Sequence, residues 1–303
     1  MTELTSFQQK LAALLPNIEL RFDEPMKLHT SFRIGGPAEV MAFPKNSEEL
    51  SQIVKSSGIL DCKYAILGAG TNILAPDAGI PGLVICLKDC LGGMEQLGDA
   101  HIRVAAGVTM TRAALFAAGL GLSGMEFAHG IPGTVGGGVY MNAGAYGGEI
   151  CQVCTEVEVM DLSGNLTILS NEEMGFSYRH SRLEDEPAVV VSATFALEKK
   201  PELEIRERMQ ELQAKRRASQ PLDMPSAGSA FKRPVGGFAA ALIDQAGLKG
   251  FQVGNAAISR KHAGFAVNLG GATAEDVKGL LQQVSDTVFE KTGIRLQPEV
   301  RIW

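Results

Sequence analysis

Positive charge is scarce in this chain: 28 Lys and Arg stand against 34 Asp and Glu over 303 residues, a formal charge of -6. That balance removes the bulk attraction that holds nucleic acid or an anionic membrane surface, so neither is expected as a partner, and only local basic sites for small anions remain. Long apolar runs are also missing, although hydrophobic residues make up 45% of the sequence. No segment has the length of a bilayer-crossing helix, and a cytoplasmic protein is expected. The N-terminal stretch MTELTSFQQKLAALLPNIEL lacks a cationic start, and its Phe7, Leu11, Leu14 and Leu15 follow helical spacing. This predicts a short amphipathic helix, not a signal peptide.

Several nucleotide and nucleophile motifs are absent as well. The pair Gly-Lys occurs nowhere, which excludes a phosphate-cradling P-loop. There is no Gly-x-Ser-x-Gly elbow, since Ala227 precedes Gly228-Ser229. Gly68-x-Gly70 opens like a dinucleotide fingerprint, but Ile73 stands at the third glycine position, and Pro76, Gly79 and Pro81 forbid the helix whose N-terminus would hold a pyrophosphate. Of the five cysteines, Cys151 and Cys154 have metal or redox spacing in CQVC. Val153, Val157 and Val159 alternate there with Gln152, Glu156 and Glu158, which predicts a strand placing the two thiols on opposite sides, with no metal site.

What is abundant is glycine, and it comes in blocks that follow strands. KYAILGAGTNIL runs from a strand into Gly68-Ala69-Gly70, and HIRVAAGVTMTRAALFAAGLGL reads as a strand, a threonine cap and a short helix stopped by Gly119 or Gly121. GIPGTVGGGVYMNAGAYGGEI is the densest block. VCTEVEVMDLSGNLTILS predicts a hairpin around Ser163-Gly164-Asn165, and AVVVSATFAL alternates Val189, Val191, Ala193, Phe195 and Leu197 on one face. Near residue 199 the composition turns charged, which marks a boundary and a helix entering a smaller α+β unit. That unit holds GFAAALIDQAG as a helix stopped at Gly247, a helix capped at Thr273, and IRLQPEVRIW as a strand with Glu299 on its polar face. The predicted organisation is a lead-in over 1–26, a two-part domain over 27–198 (roughly 27–90 and 91–198), and a third part over 199–303.

The two glycine loops, 68–72 and 130–138, offer free backbone N–H groups of the kind that bind extended diphosphates, or else are tight turns in an α+β domain. PSAGSAFKRP, residues 225–234, has the same two readings. It is a Pro/Gly-punctuated turn, or a lightly crowded Ser229 hydroxyl backed by Lys232 and Arg233 for an anionic ligand.

The ordered segments LHTSFRIGGPA, LGAGTNIL, GIPGTVGGGVYMNAGAYGGEI, FSYRHSR, PSAGSAFKRP, LIDQAGLKG, KHAGFAVN and LQPEVRIW resemble the UDP-N-acetylenolpyruvoylglucosamine reductases, the MurB family, from about Lys27 to Trp303. The resemblance implies a vanillyl-alcohol-oxidase type FAD-binding domain of two α+β subdomains, with noncovalent FAD, plus a smaller C-terminal domain for the UDP-sugar. It implies NADPH as co-substrate and reduction of UDP-N-acetylglucosamine enolpyruvate to UDP-N-acetylmuramate. By the same resemblance Ser229 is the proton donor, while Arg179 and Glu299 stabilise the charge that develops on the substrate. Gly68, Ala69, Gly70, Thr71 and Asn72, with Gly133, Thr134, Gly136 and Gly137, would take the diphosphate and ribityl parts. Ile131, Pro132 and Gly107 are further cofactor contacts, and Thr30, Arg33, Asn142 and Gly144 lie in motifs like the family's isoalloxazine surroundings. Arg217, Lys232, Arg233 and His262 are candidates for the substrate diphosphate. Two departures stand out: Arg233 replaces the Asn of some members, and the spacing before Ser229 matches the shorter subtype, without the additional tyrosine-bearing loop.

Overall fold

A computed structural model of the chain describes residues 4–303. It divides into two compact units that do not follow the chain in simple halves. The first takes residues up to Phe22, Glu39–Ala69 and Gly82–Lys215; the second takes Asp23–Ala38, Gly70–Pro81 and Arg216–Trp303. Among the described residues no helix is long and apolar enough to cross a membrane.

The first unit carries two sheets. One has the strand order Glu19–Pro25, Pro37–Phe43, Ile80–Cys86, Tyr64–Leu67, its last two strands parallel. Helix Ser47–Ile59 starts where Asn46 accepts a 2.8 Å hydrogen bond from the Glu49 amide, with Glu48 and Glu49 near the positive end of the helix. Its Leu50, Ile53 and Val54 are buried. The N-terminal helix, Ser6–Leu14, forms as predicted, but its buried stripe is Gln8, Leu11 and the following Leu15, while Leu14 is exposed. Gln8 is tolerated inside because its amide donates to the Glu39 carbonyl and accepts from the Thr5 amide.

The other sheet is antiparallel, in the order Leu166–Ser170, Cys154–Met160, Val189–Ala196, His101–Ala105, Met94–Leu97. The hairpin around Ser163–Asn165 forms, and Asp161 closes it by accepting from the Ser163 and Asn165 amides at 2.8 and 2.9 Å. Val189, Val191, Ala193, Phe195 and Leu197 are all buried, and so are Val190, Ser192 and Thr194 between them. This central strand is buried on both faces, because helix Val135–Tyr140 packs against it. Nor do Cys151 and Cys154 share a strand, since Cys151 lies in the 3₁₀ turn Ile150–Gln152 and only Cys154 in the strand. All five cysteines are free thiols, and among the described residues no His, Cys, Asp and Glu cluster is able to hold a metal ion.

The second unit is built on an antiparallel sheet in the order Ser226–Ser229, Phe265–Asn268, Ala256–Ile258, Gln252–Val253. Helix Ala274–Thr292 packs on it through Val277, Leu280, Leu281, Val284 and Val288, started by a Thr273–Asp276 capping box and stopped by left-handed Gly293. Phe32, Ile34 and Leu74 join the same core from far earlier in the chain. The final segment is not the long strand its alternation predicts: only Arg301–Ile302 is a strand, parallel to Ile73–Leu74. The segment before it pairs only at an isolated antiparallel bridge of Phe231 with Pro298, flanked by the Lys232–Gln297 and Glu299–Ala230 main-chain bonds.

Candidate active site

In the first unit the two glycine loops meet. Gly68 and Ala69 leave strand Tyr64–Leu67, and Gly133 and Thr134 precede helix Val135–Tyr140. A Cβ on Gly68 would lie 2.6 Å from Thr134 Oγ1, so only glycine lets the loops approach this closely. Among the described residues the amides of Gly68, Ala69, Gly133 and Thr134 donate to no protein acceptor. Converging unpaired N–H groups of this kind form an anion cradle, which fits a cofactor carrying a diphosphate. The neighbouring glycines have other duties. Gly137 donates to Thr134 Oγ1 at 3.3 Å and Gly136 to the Ala106 carbonyl at 2.9 Å. Gly107 donates to the Leu91 carbonyl, and a Cβ there would collide with the Leu87 carbonyl oxygen. Ile131 is half-buried with its amide on the Ala128 carbonyl, and Pro132 is exposed.

Arg179 stands on a tight turn in the same unit. Ser177 and His180 exchange main-chain hydrogen bonds of 3.1 and 3.2 Å, and Arg179 between them has φ 56°. Its guanidinium donates to the Gly144 carbonyl at 3.2 Å and lies 5.1 Å from the Tyr178 ring centre. Asn142 is 1% exposed, and its side-chain amide is engaged within the protein. It donates to the Ser177 carbonyl at 3.0 Å and to Glu149 at 3.2 Å, and accepts from the Cys151 amide at 2.9 Å. Its backbone amide is engaged as well, donating to the Val139 carbonyl at 3.1 Å. Burial pushes the Cys154 thiol up to about 12 and the Cys86 thiol to about 11, so neither is a thiolate at neutral pH.

In the second unit Ser229 and Glu299 are held in register by main-chain bonds. The Ala230 amide donates to the Gly264 carbonyl at 2.7 Å, the Glu299 amide to the Ala230 carbonyl at 2.9 Å, and the Lys232 amide to the Gln297 carbonyl at 2.8 Å. Ser229 is exposed at the end of its strand. Gly228 before it has φ 75° inside a register shift, and a Cβ there would meet nothing within 4 Å. Glycine is needed at 228 for the left-handed bulge that turns the hydroxyl outward, not for protein packing. Thr30 and Arg33 share a turn, with Thr30 Oγ1 donating to the Ile34 carbonyl and Arg33 exposed at φ 56°. Gly70 packs on it so closely that a Cβ would strike the His29 carbonyl. Thr71 and Asn72 follow in the chain.

Two polar links in this unit were not visible in the sequence. Ser31 Oγ donates to the Ser226 carbonyl at 2.6 Å, and Asn72 Nδ2 donates to the Glu299 carbonyl at 3.1 Å. Both residues stand inside the quoted motifs, but their partners are 195 and 227 positions away. Among the substrate candidates, Arg233 stacks on Phe238 at 4.1 Å and donates to the Gly237 carbonyl, Lys232 is half-buried, and exposed Arg217 accepts a hydrogen bond from Lys261 at its carbonyl. His262 Nδ1 accepts from the Gly264 amide, and burial lowers its pKa, so at neutral pH the ring offers a neutral N–H instead of a positive charge.

Residues 38–170 match the family model of the FAD binding domain, and residues 220–303 that of the UDP-N-acetylenolpyruvoylglucosamine reductase C-terminal domain. The UDP-N-acetylenolpyruvoylglucosamine reductase of Caldanaerobacter subterraneus subsp. tengcongensis is 45% identical over 97% of this chain and 96% of its own. The crystal structure of the reductase from Thermus caldophilus superposes with a TM-score of 0.79 at 36% identity, covering 95% of this chain and 99% of that one. A glucooligosaccharide oxidase from Acremonium strictum shares the fold alone, with a TM-score of 0.50 at 14% identity over 98% of this chain and 60% of its own. The flavin-binding domain, the reductase-specific C-terminal domain and near full-length identity thus agree, and the chain belongs to the UDP-N-acetylenolpyruvoylglucosamine reductases, the flavin-dependent enzymes of peptidoglycan precursor synthesis.

Proposed function

We propose that this chain reduces the enolpyruvyl ether of UDP-N-acetylglucosamine enolpyruvate to the lactyl ether of UDP-N-acetylmuramate at the expense of NADPH, with Ser229, Arg179 and Glu299 as its catalytic residues. The observation that carries the assignment is the register that keeps the Ser229 hydroxyl and the Glu299 segment together through the Ala230 carbonyl. Hydride transfer, from NADPH and on to C3 of the enolpyruvyl group, is the chemistry that noncovalently bound FAD supplies. The backbone amides of Gly68, Ala69, Gly133 and Thr134 would hold its diphosphate.

Addition at C3 leaves negative charge spread from C2 into the substrate carboxylate. Arg179 meets that charge with a planar guanidinium already fixed on its turn, so little reorganisation accompanies the reaction. Ser229 delivers a proton to C2, and one hydride plus one proton together saturate the double bond. A serine is a weak acid, but the centre it serves is a strong base, so position outweighs acidity. Glu299 meets the same developing charge as the neutral acid, by a hydrogen bond donated to the substrate carboxylate, since an anion there would repel it, and Arg217, Lys232, Arg233 and a neutral His262 are the groups for the UDP diphosphate. The spacing before Ser229 favours the shorter subtype, without the tyrosine-bearing loop.

Ser229→Ala tests the assignment by separating two half-reactions. NADPH reduces the bound flavin without a proton from Ser229, so that step should stay within a small factor of normal. Reoxidation by the enolpyruvyl substrate under anaerobic conditions should slow by about a hundredfold or more. Equal loss in both steps makes Ser229 structural, and loss in neither assigns the proton to another donor.

A further inference from the structure

Two buried side chains pin the turn that carries Arg179, and they do so from both ends. Ser181 is fully buried, and its Oγ donates to the Tyr140 carbonyl at 2.8 Å. Asn142 donates in the opposite direction, to the Ser177 carbonyl at 3.0 Å. Both bonds join the same two segments, 140–142 and 177–181, and between their anchor points lie the Ser177–His180 pairing and Arg179 itself. Arg179 and Asn142 are both non-glycine residues in the left-handed region, at φ 56° and 40°. Such conformations persist only where the surroundings fix them. The guanidinium reaches back to the Gly144 carbonyl, two residues beyond Asn142. The turn and the surface against which the side chain is aimed are thus one hydrogen-bonded block.

We infer that Ser181 and Asn142 are positioning residues for Arg179, setting where its guanidinium stands before substrate arrives; the inference rests on the catalytic reading of Arg179 given above. Ser181 is the informative member, because the local fold has other supports. The Arg182 amide donates to the Met174 carbonyl at 2.8 Å, and Met174 and Leu183 are buried in the core. Without the Ser181 hydroxyl the segment keeps these anchors, while the turn loses one of its two clamps.

The test combines Ser181→Ala, Ser181→Thr, Arg179→Ala and the double variant Ser181→Ala/Arg179→Ala in the flavin-loaded enzyme. Reoxidation of the flavin by enolpyruvyl substrate should slow about tenfold in Ser181→Ala, as expected for a misplaced catalytic group. Reduction by NADPH should change less than about twofold, and Ser181→Thr, which keeps the hydroxyl, should recover most of the loss. The double variant should be no slower than Arg179→Ala, since a residue acting through another has no effect once that other is gone. Amide hydrogen exchange at residues 177–180 of the flavin-free protein should also speed up in Ser181→Ala. Additive losses in the double variant, parallel loss of both half-reactions, or unchanged exchange would overturn the inference. If Arg179→Ala leaves reoxidation untouched, the catalytic reading of Arg179 is what fails, and the exchange measurement still reports on the clamp. Should Ser181→Ala lose its flavin, Ser181→Cys, a weaker donor, takes its place in the same cycle.

Discussion

At His262 a single side chain ties a local contact to the pH dependence of stability. Burial holds its folded pKa below the ordinary histidine value, and its Nδ1 accepts from Gly264, a bond that protonation would break. Between the lowered folded pKa and the unfolded value of about 6.5, the unfolded chain binds the extra proton and the folded chain does not, so stability rises with pH across that window. The contribution is complete above pH 6.5 or so and is lost as the pH falls through the folded pKa. Urea midpoints measured from pH 7.5 down to 5 should therefore fall less steeply in His262→Gln than in the parent chain. Ser229, Arg179 and Glu299 were singled out in the sequence because each stands in a motif that resembles the reductases, and their roles are the proposal made above. Ser181 stood in such a motif too, FSYRHSR, yet nothing local shows that a serine hydroxyl will be buried against a carbonyl 41 positions earlier.

Helix Ala274–Thr292 shows how an element can be read correctly and still be incomplete. Its cap at Thr273 and its apolar face are local signals, and both hold. What no local signal gives is Asp77, whose carboxylate accepts from the Ala274 amide at 2.9 Å and the Glu275 amide at 3.3 Å across nearly two hundred residues of sequence. A carboxylate on the unpaired amides of a helix start satisfies backbone donors and the helix dipole together, which is worth about 1 kcal/mol. Asp77→Ala should lower the melting temperature by about 2–4 °C in a calorimetric scan. An unchanged transition would mean that solvent replaces the cap at no cost. The last segment went the other way: its alternation predicted a long strand, but an alternating pattern does not say how long a partner edge is available, and the segment finds only the bridge at Phe231 and the two-residue pairing with Ile73–Leu74. In Val189–Ala196 the alternating residues are buried, but alternation does not reveal that the second face is covered as well.

Across the whole molecule the two units are interleaved, and the chain passes from one to the other at residues 22/23, 38/39, 69/70, 81/82 and 215/216. The charged stretch after residue 199 is legible as a helix, Glu202–Ser219, but the interleaving is not, because nothing near residues 23–38 or 70–81 states which core their apolar side chains will join. Residues 216–303 expressed alone would lack Phe32, Ile34 and Leu74 from their core, the Asp77 cap, and the strand that pairs with Arg301–Ile302. Removing one large core side chain costs about 2–5 kcal/mol against a typical stability of about 5–15 kcal/mol, so this fragment should stay unfolded by circular dichroism and give collapsed amide dispersion by NMR. A cooperative melt from it would contradict the interleaved account. The pairing of Ile73–Leu74 with Arg301–Ile302 also sets a timetable during synthesis. At about 5–20 residues per second, a ribosome needs on the order of 10–45 s to move from the first of these strands to the second. For that interval Phe32, Ile34 and Leu74 wait without the core that will bury them. The nascent chain is then a client for chaperones at its early segments, long before its last residues exist.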